Sequence, residues 1–290
     1  MYILILNPTA GQGTALKRLP EIEAVFMERG LAYRVVESPN RADATLTARK
    51  AAEDGVDGVV AIGGDGSLFA VVNGLAGSDV PLIFVPCGTG NDFVRCLNLP
   101  KDPVDALRHQ LNMPVTSIDL GKMNDVYFLN VAGTGFDVDV LRVVEKYKTR
   151  YKGLMAYLRG LIDAIKAYRP TVARVSIDGG EERELQFAIL SIGNGRFIGG
   201  GMKACPESTV NDGLFDLIIV NPVKKRSIPV LIAFYIAGKH VSLGLGKLYR
   251  CKTVTIRRSG MTVNLDGELL DADQACFQLL PSALKVRLSI

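Results

Sequence analysis

Three glycines and an aspartate in four consecutive positions, Gly63-Gly64-Asp65-Gly66, followed by Ser67, form the strongest chemical signal in the chain. The apolar run Val59 to Ile62 before them reads as a buried strand. Leu68 to Leu75 after them reads as a short helix that starts at Ser67 and is closed by Gly74. Glycines at a strand-to-helix turn let the backbone come close to a ligand and take positive φ, and the helix start aims unpaired N–H groups at the same spot. That combination suits an anion, most simply a phosphate. A plain tight turn is the alternative, but a hairpin would need a second strand with period-two patterning, and none follows directly. A bare carboxylate repels phosphate, so Asp65 is assigned to a magnesium ion, its waters or a nearby hydroxyl.

Two further groups of acids could share in such chemistry. Asp212, in the turn Thr209-Val210-Asn211-Asp212-Gly213-Leu214, could hold magnesium with the main-chain carbonyls of Thr209 and Leu214 beside it, or could simply make an Asp-Gly turn. Asp266 and Glu268, around Gly267 at the end of an apolar run, could take the proton of a hydroxyl, or could form a solvated hairpin tip. Phosphoryl transfer asks the protein for positioning, charge neutralisation and one base, so these are the right kinds of residue. Neither a G-x-x-x-x-G-K-[ST] loop nor a G-x-G-x-x-G fingerprint occurs. Phosphate binding would therefore rest on backbone amides without the usual lysine. Four turns could converge on it: Asn7 to Gly11, Ser38, Gly63 to Ser67, and Gly88 to Asp92.

The elements that must position these turns alternate over the first part of the chain. Strands at Tyr2 to Leu6, Ala32 to Val36, Val59 to Ile62 and Pro81 to Val85 are separated by helices at Thr14 to Arg29 and Arg41 to Glu53 and the one after Ser67. That rhythm predicts an α/β domain with a parallel sheet over residues 1–114, ligands collecting at the carboxyl edge of its strands. From 115 to 290 strands follow one another, at 116–120, 126–132, 174–177, 185–192, 214–220, 253–256, 261–265 and 284–288. Helical segments interrupt them at 139–168 and 225–240. This half is expected to be a mainly antiparallel β-sandwich for the acceptor, its last strand returning to the first domain, with a cleft between the two.

Composition bounds the rest. Residues 1–114 carry 10 Lys and Arg against 13 Asp and Glu, whereas 115–290 carry 24 against 17, so the second half is the one to meet an anionic surface. Five scattered cysteines without C-x-x-C spacing argue against disulfides or zinc and suit a reducing cytoplasm. The start of the chain lacks the basic residues and length of a signal peptide. The longest apolar run, 228–237, is about half of a membrane span. The expected location is cytoplasmic with peripheral membrane contact through residues 146–168, where Lys146, Lys148, Arg150 and Lys152 interleave with tyrosines; a core helix with a solvated basic face is the alternative.

The ordered set Gly63 to Ser67 with Asn73-Gly74, Pro86-x-Gly88-Thr89-x-Asn91-Asp92-Phe93-x-Arg95, Gly193-Asn194, Gly199-Gly200, Asp212-Gly213 and Asp266-Gly267-Glu268 resembles the diacylglycerol kinase catalytic-domain family, nearly end to end. The family includes soluble bacterial lipid kinases and sphingoid-base kinases. The resemblance implies an ATP- and magnesium-dependent lipid kinase, most directly one that makes phosphatidic acid from diacylglycerol. It places ATP across Asn7, Pro8, Thr9, Ala10, Gly11, Ser38, Gly64, Asp65, Gly66, Ser67, Leu68, Phe69, Ala70 and Thr89. It places magnesium at Asp212 with Thr209 and Leu214, and the base at Asp266 or Glu268. The partners it implies are ATP and a lipid at a membrane surface, with a homodimer also expected and no nucleic acid. The chain departs from the family where a polar residue and a glutamate usually follow Ser67-Leu68; here they are Phe69 and Ala70. Ser67 to Ala70 has capping-box spacing, so the loss would cost a helix start of about 0.5–2 kcal/mol. If the glutamate instead serves substrate or metal, catalysis changes. The competing functions are a kinase for a soluble acceptor such as NAD, whose family shares this nucleotide fold, and a nucleotide-binding regulator.

Overall fold

A computed structural model of the chain describes residues 1–148 and 154–289. The first half runs β1 (Tyr2–Leu6), α1 (Ala10–Glu28), β2 (Tyr33–Glu37), α2 (Arg41–Glu53), β3 (Gly58–Gly63), α3 (Asp65–Leu75), β4 (Leu82–Pro86), α4 (Asp92–Cys96) and α5 (Pro103–Leu111). β1, β3 and β4 are apolar and buried along their whole length, as strands covered on both faces must be. They pair in parallel in the order β2-β1-β3-β4. Ile22, Val25 and Phe26 of α1 with Leu107 and Leu111 of α5 close one face, and Ala44 and Ala48 of α2 with Val71 and Leu75 of α3 close the other. α2 starts where the Asn40 side chain accepts the Asp43 N–H at 3.0 Å, an ordinary N-cap.

The second half runs β5 (Val115–Met123), β6 (Val126–Phe128), β7 (Val131–Gly135), α6 (Phe136–Lys148), α7 (Leu154–Ala167), β8 (Thr171–Ile177), β9 (Arg183–Phe187), β10 (Ile189–Gly193), β11 (Phe215–Val220), a 3₁₀ turn at Lys225–Ser227, α8 (Ile228–Ala237), β12 (Gly246–Cys251), β13 (Thr253–Arg257), β14 (Thr262–Leu265), β15 (Glu268–Asp271) and β16 (Gln274–Arg287). One antiparallel sheet has the order β12-β11-β10-β7-β14-β15. It faces a layer of β5, β6, β8, β9, β13 and β16, with Phe128, Phe187, Phe215 and Phe277 packed between them. Its other face is covered by α6, α7 and α8 through Val140, Val144, Ala164, Leu231 and Tyr235.

β16 links the two halves. Its residues 274–278 pair with β13, and Val286 pairs with Leu82 of β4 in parallel. A register break between Leu280 and Leu284 lets the same strand follow β5 on both sides of the break.

Four expectations need correcting. The segments 126–132 and 185–192 are each two strands, because the chain crosses between sheets at residues 129–130 and at Ala188; apolar residues lie on both sides of each crossing, so it leaves no mark in the pattern. β12 and β15 were absent from the expected strands. The segment 139–168 is two helices, and residues 149–153 of its basic, tyrosine-bearing part lie outside the described residues. Gly74 does not close α3. A Cβ there would lie 2.5 Å from the Thr45 carbonyl oxygen, so it is a contact glycine that lets α3 press onto α2.

Candidate active site

The carboxyl ends of β1, β2, β3 and β4 bring together three glycine-containing turns and the Ser38 turn. Asn7, Ala10, Gly11, Ser38, Arg41, Gly64, Gly66, Ser67, Ala70 and Gly88 line one pocket along this edge. Asn7 organises it: its amide donates to Ser67 Oγ at 3.2 Å, and its Oδ1 accepts from Thr9 N–H at 3.1 Å. Pro8 and Thr9 complete that turn without lining the pocket. Ser38 Oγ is buried against the pocket and has no hydrogen-bond partner among the described residues, which fits a polar ligand group.

Close approach, more than positive φ, explains the central glycines. Gly63, Gly64 and Gly66 all have negative or extended φ. A Cβ on Gly63 would fall 2.3 Å from Ser67 Oγ, and one on Gly64 would fall 3.0 Å from the Gly88 Cα. Among the glycines of these turns, Gly11 needs both, with φ of +59° and a Cβ position 2.0 Å from the Cys87 carbonyl oxygen. α3 itself begins at Asp65 with Gly64 as its cap, so Ser67 lies inside the first turn and the capping-box reading of Ser67 and Ala70 fails. Ala70 is buried against α2, where Thr45 Oγ1 donates to its carbonyl at 2.9 Å.

Gly66 also lines a second space, together with Asp65, Leu68, Phe69, Thr89, Asp92, Asn130, Gly199, Gly200, Asp266, Gly267 and Glu268. Four carboxylates therefore meet here, two from each half of the molecule. Leu68, Phe69 and Thr89, expected beside ATP, face this cleft. Asp65 accepts the Asp92 N–H at 2.8 Å, and Asp92 accepts the Gly200 N–H at 2.7 Å. Burial, with the charge of Asp92 added, raises the Asp65 carboxyl above its ordinary value, and burial does the same for Asp92. Asp92 Oδ1 is buried without a hydrogen-bond partner among the described residues.

Asp266 is held more tightly. Its oxygens accept the N–H groups of Leu129 at 2.6 Å, Asn130 at 2.9 Å and Val131 at 2.9 Å, where the chain crosses between sheets. The residue sits at φ of +51°, and the Gly267 N–H is fixed by Asn264 Oδ1 at 2.8 Å. Burial still outweighs the three donors and pushes the Asp266 carboxyl up to about 7, with the nearby Asp65 charge adding to the rise. Glu268, at the start of β15, pairs with Arg41 at the start of α2.

Ile198, Gly199 and Gly267 at the inner end of this cleft also line an almost wholly apolar cavity walled by Phe136, Val140 and Leu141 of α6, Leu161 of α7, and Leu231, Ile232 and Tyr235 of α8. Its polar features are Asp137 and Asn264. Burial lifts the Asp137 carboxyl to about 6, and neither of its oxygens makes a hydrogen bond of ordinary geometry.

Asp212 stands elsewhere. Its Oδ1 accepts the Leu214 N–H at 3.1 Å and its Oδ2 pairs with Arg250, whose Nε lies 3.3 Å from the buried Asp216. Thr209 lines a separate pocket with Cys96, Arg196 and Ser208. The Arg250 guanidinium lies on the carboxylate that magnesium would need, a half-exposed pair that the ion would have to displace. Among the described residues no cluster of three or more His, Cys, Asp or Glu forms a metal site. Asp65 and Asp92 are also candidates for a hard cation, because both are desolvated carboxylates in the cleft, Asp92 with Arg95 Nε 4.0 Å from its Oδ1.

Sequence reasoning named Asp92 as the end of the fourth turn and Gly199-Gly200 within the resemblance but gave neither a role, and it left Arg41, Asn264 and Asp137 out of the site. Arg41 follows the N-cap at the carboxyl edge of a parallel strand, a signal that would have flagged it. The others depend on which strands cross between sheets.

Residues 1–123 match the model of the diacylglycerol kinase catalytic domain, and residues 130–288 match that of the YegS C-terminal NAD kinase beta sandwich-like domain. The chain is 31% identical over 288 residues to a protein of Mycobacterium tuberculosis named diacylglycerol kinase, covering 97% of this chain and 93% of that one. A crystal structure of a diacylglycerol kinase from Bacillus anthracis superposes with a TM-score of 0.74 at 23% identity, covering 99% and 96% of the two chains. An NAD kinase from Archaeoglobus fulgidus in complex with ATP superposes with a TM-score of 0.54 at 13% identity, covering 99% and 93%, and shares the fold.

Proposed function

The chain belongs to the diacylglycerol kinase catalytic-domain family and is an ATP-dependent lipid kinase; from that premise we propose that it moves the γ-phosphate of ATP to the free hydroxyl of diacylglycerol, giving phosphatidic acid. The observation that supports this reading is adjacency. The glycine-lined pocket and the cleft of four acids share Gly66, and that cleft shares Ile198, Gly199 and Gly267 with the apolar cavity.

In this reading the nucleotide lies along Asn7, Gly11, Ser38, Gly64 and Ser67, with the first-turn amides of α3 facing its phosphates. The acyl part of the acceptor enters the apolar cavity, and its hydroxyl stops at the Asp266-Gly267-Glu268 turn. Asp266 is the base that takes the hydroxyl proton. A carboxyl raised to about 7 holds a proton once taken and is still substantially ionised at neutral pH, the compromise that a general base requires. Glu268 and Arg41 bracket Gly66, where the phosphoryl group would cross: a Cβ there would lie 3.7 Å from Glu268 Oε1 and 3.8 Å from Arg41 Nε. When magnesium is bound with the nucleotide, Asp65 and Asp92 would hold it, and it would neutralise phosphate charge. Phe69 and Leu68 exclude water from the cleft side of α3.

Incubation with γ-labelled ATP and a panel of diacylglycerol, sphingoid base, undecaprenol and NAD tests the proposal. Label in phosphatidic acid supports it. Label in another lipid moves the acceptor within the same mechanism. Label in NADP, or ATP binding with no transfer, overturns it.

A further inference from the structure

From residue 217 to residue 265 the chain contains no Asp or Glu, yet it carries nine cations: Lys224, Lys225, Arg226, Lys239, Lys247, Arg250, Lys252, Arg257 and Arg258. α8 lies within this stretch and is apolar at every position, Ile-Pro-Val-Leu-Ile-Ala-Phe-Tyr-Ile-Ala. A helix that is apolar all round belongs in a core. Here only one side is in the core: Ile228, Leu231 and Tyr235 pack inward, whereas Val230 is 55% exposed and Ile236 47% exposed, with Ala233 and Ala237 exposed between and beside them. Leu243, in the turn that follows, is 51% exposed. The three consecutive cations at 224–226 are exposed at one end of the helix, and Lys239 is exposed at the other.

We propose that the outer face of α8, with Val230, Ile236 and Leu243 as its apolar contacts and Lys224, Arg226 and Lys239 as its cations, is a docking surface for an anionic lipid bilayer. An outward apolar stripe flanked by cations is the composition of a helix that lies in a membrane interface. A second copy of this chain is the weaker occupant, because a two-fold contact would set one acid-free basic segment against another. The inner side of the same helix walls the apolar cavity through Leu231, Ile232 and Tyr235. A bilayer on the outer face would then lie one helix thickness from the space that the lipid-kinase reading gives to an acyl chain. The surface itself does not depend on that reading, since it follows from exposure and charge alone. It also differs from the basic segment 146–168.

The chain has no tryptophan, so Ile236→Trp introduces a single indole reporter at an exposed site. On vesicles of phosphatidylcholine with phosphatidylglycerol its emission should shift to the blue and gain protection from aqueous quenchers, with no shift on phosphatidylcholine alone. In flotation without ATP, Lys224→Glu/Arg226→Glu and Val230→Asn/Ile236→Asn should each weaken binding to the anionic vesicles by about tenfold or more. High salt should act like the charge reversal. Phosphorylation of a short-chain, detergent-dispersed acceptor should be unchanged in both variants, which separates loss of docking from loss of catalysis. Equal flotation of wild type and both variants would overturn the proposal. So would a concentration-dependent dimer that Val230→Asn/Ile236→Asn dissolves, with no vesicle binding in the wild type. Docking as described by a protein that transfers no phosphate to any lipid would leave this surface standing and remove the kinase reading.

Discussion

Arg41 and Glu268 form an ion pair across the gap between the two halves of the molecule, Arg41 from the first turn of α2 and Glu268 from the first residue of β15. Among the described residues that line the nucleotide-side pocket, Arg41 is the one that carries a charge. Its side chain is 59% exposed, so the pair is held weakly and can be exchanged for phosphate.

Arg41→Ala should therefore weaken ATP binding about tenfold while leaving AMP binding nearly unchanged, as expected for loss of one charge-assisted contact. Glu268→Gln should tighten ATP binding by about two- to fivefold, because it removes the competing anion, even as turnover falls. Calorimetric titration of both variants and of the double variant decides the matter. ATP affinity that is indifferent to Arg41 would exclude it from the phosphate site.

Asp266 should impose a pH profile. The base works only when ionised, and burial raises it to about 7, so kcat should rise roughly tenfold per pH unit below that value and level off above it. Asp266→Asn should lower kcat by at least about a hundredfold with ATP affinity changed by less than about threefold. The same shift acts on stability. The folded state keeps a proton that the unfolded chain releases near 3.8, so this contribution is fully present below 3.8 and is lost as pH rises to about 7. A rate profile flat from pH 5 to pH 8 would remove Asp266 as the base.

The glycines should divide by what surrounds them. At Gly88 a Cβ would lie 2.4 Å from the Gly64 Cα, backbone against backbone, so Gly88→Ala should cost about 3 kcal/mol or more and weaken ATP binding as well. At Gly179, with φ of +69° and nothing within 4 Å, alanine should cost only about 1 kcal/mol and leave ATP binding alone. Urea denaturation and nucleotide titration of the two variants check this contrast.

Arg250 should matter through Asp216, which is 2% exposed. Arg250→Ala leaves that acid with Ser208 as a partner at 3.1 Å and should cost about 2 kcal/mol, a buried-pair loss reduced because the guanidinium is itself half exposed. Any rise in melting temperature that magnesium brings should be the same in the wild type and in Asp212→Asn. A rise lost in Asp212→Asn would show that the guanidinium is not the resident cation of that loop.

Filling the apolar cavity should separate the two substrates. Met202→Trp should reduce phosphorylation of long-chain diacylglycerol by about tenfold or more, with ATP affinity intact, because Met202 lines the cavity and not the nucleotide pocket. Retained activity on the long-chain acceptor would place the acyl group elsewhere.

Much of the framework was legible because its signals are local. Alternating strands and helices, three glycine-bearing turns with the Ser38 turn beside them, and their common place at the carboxyl edge follow from chain-neighbour patterns and from the one-handedness of parallel crossovers. The strand crossings at residues 129–130 and Ala188 were not legible, since apolar residues continue through both and composition does not say which sheet a residue joins. The capping role given to Ser67 failed because glycine can also cap a helix, which moved the start of α3 back to Asp65.

The amino-acid sequence by itself determined that a glycine-rich strand-to-helix edge and a turn bearing two acids exist in this chain, because each is built from residues adjacent in sequence. Only the tertiary structure decided that Asp266 and Glu268 face Asp65, that Arg41 closes on Glu268, and that Asp212 is taken up by Arg250 instead. Those pairings join residues far apart in the chain. They depend on the path of β16 through both halves and on where the chain changes sheets, and local composition does not encode either.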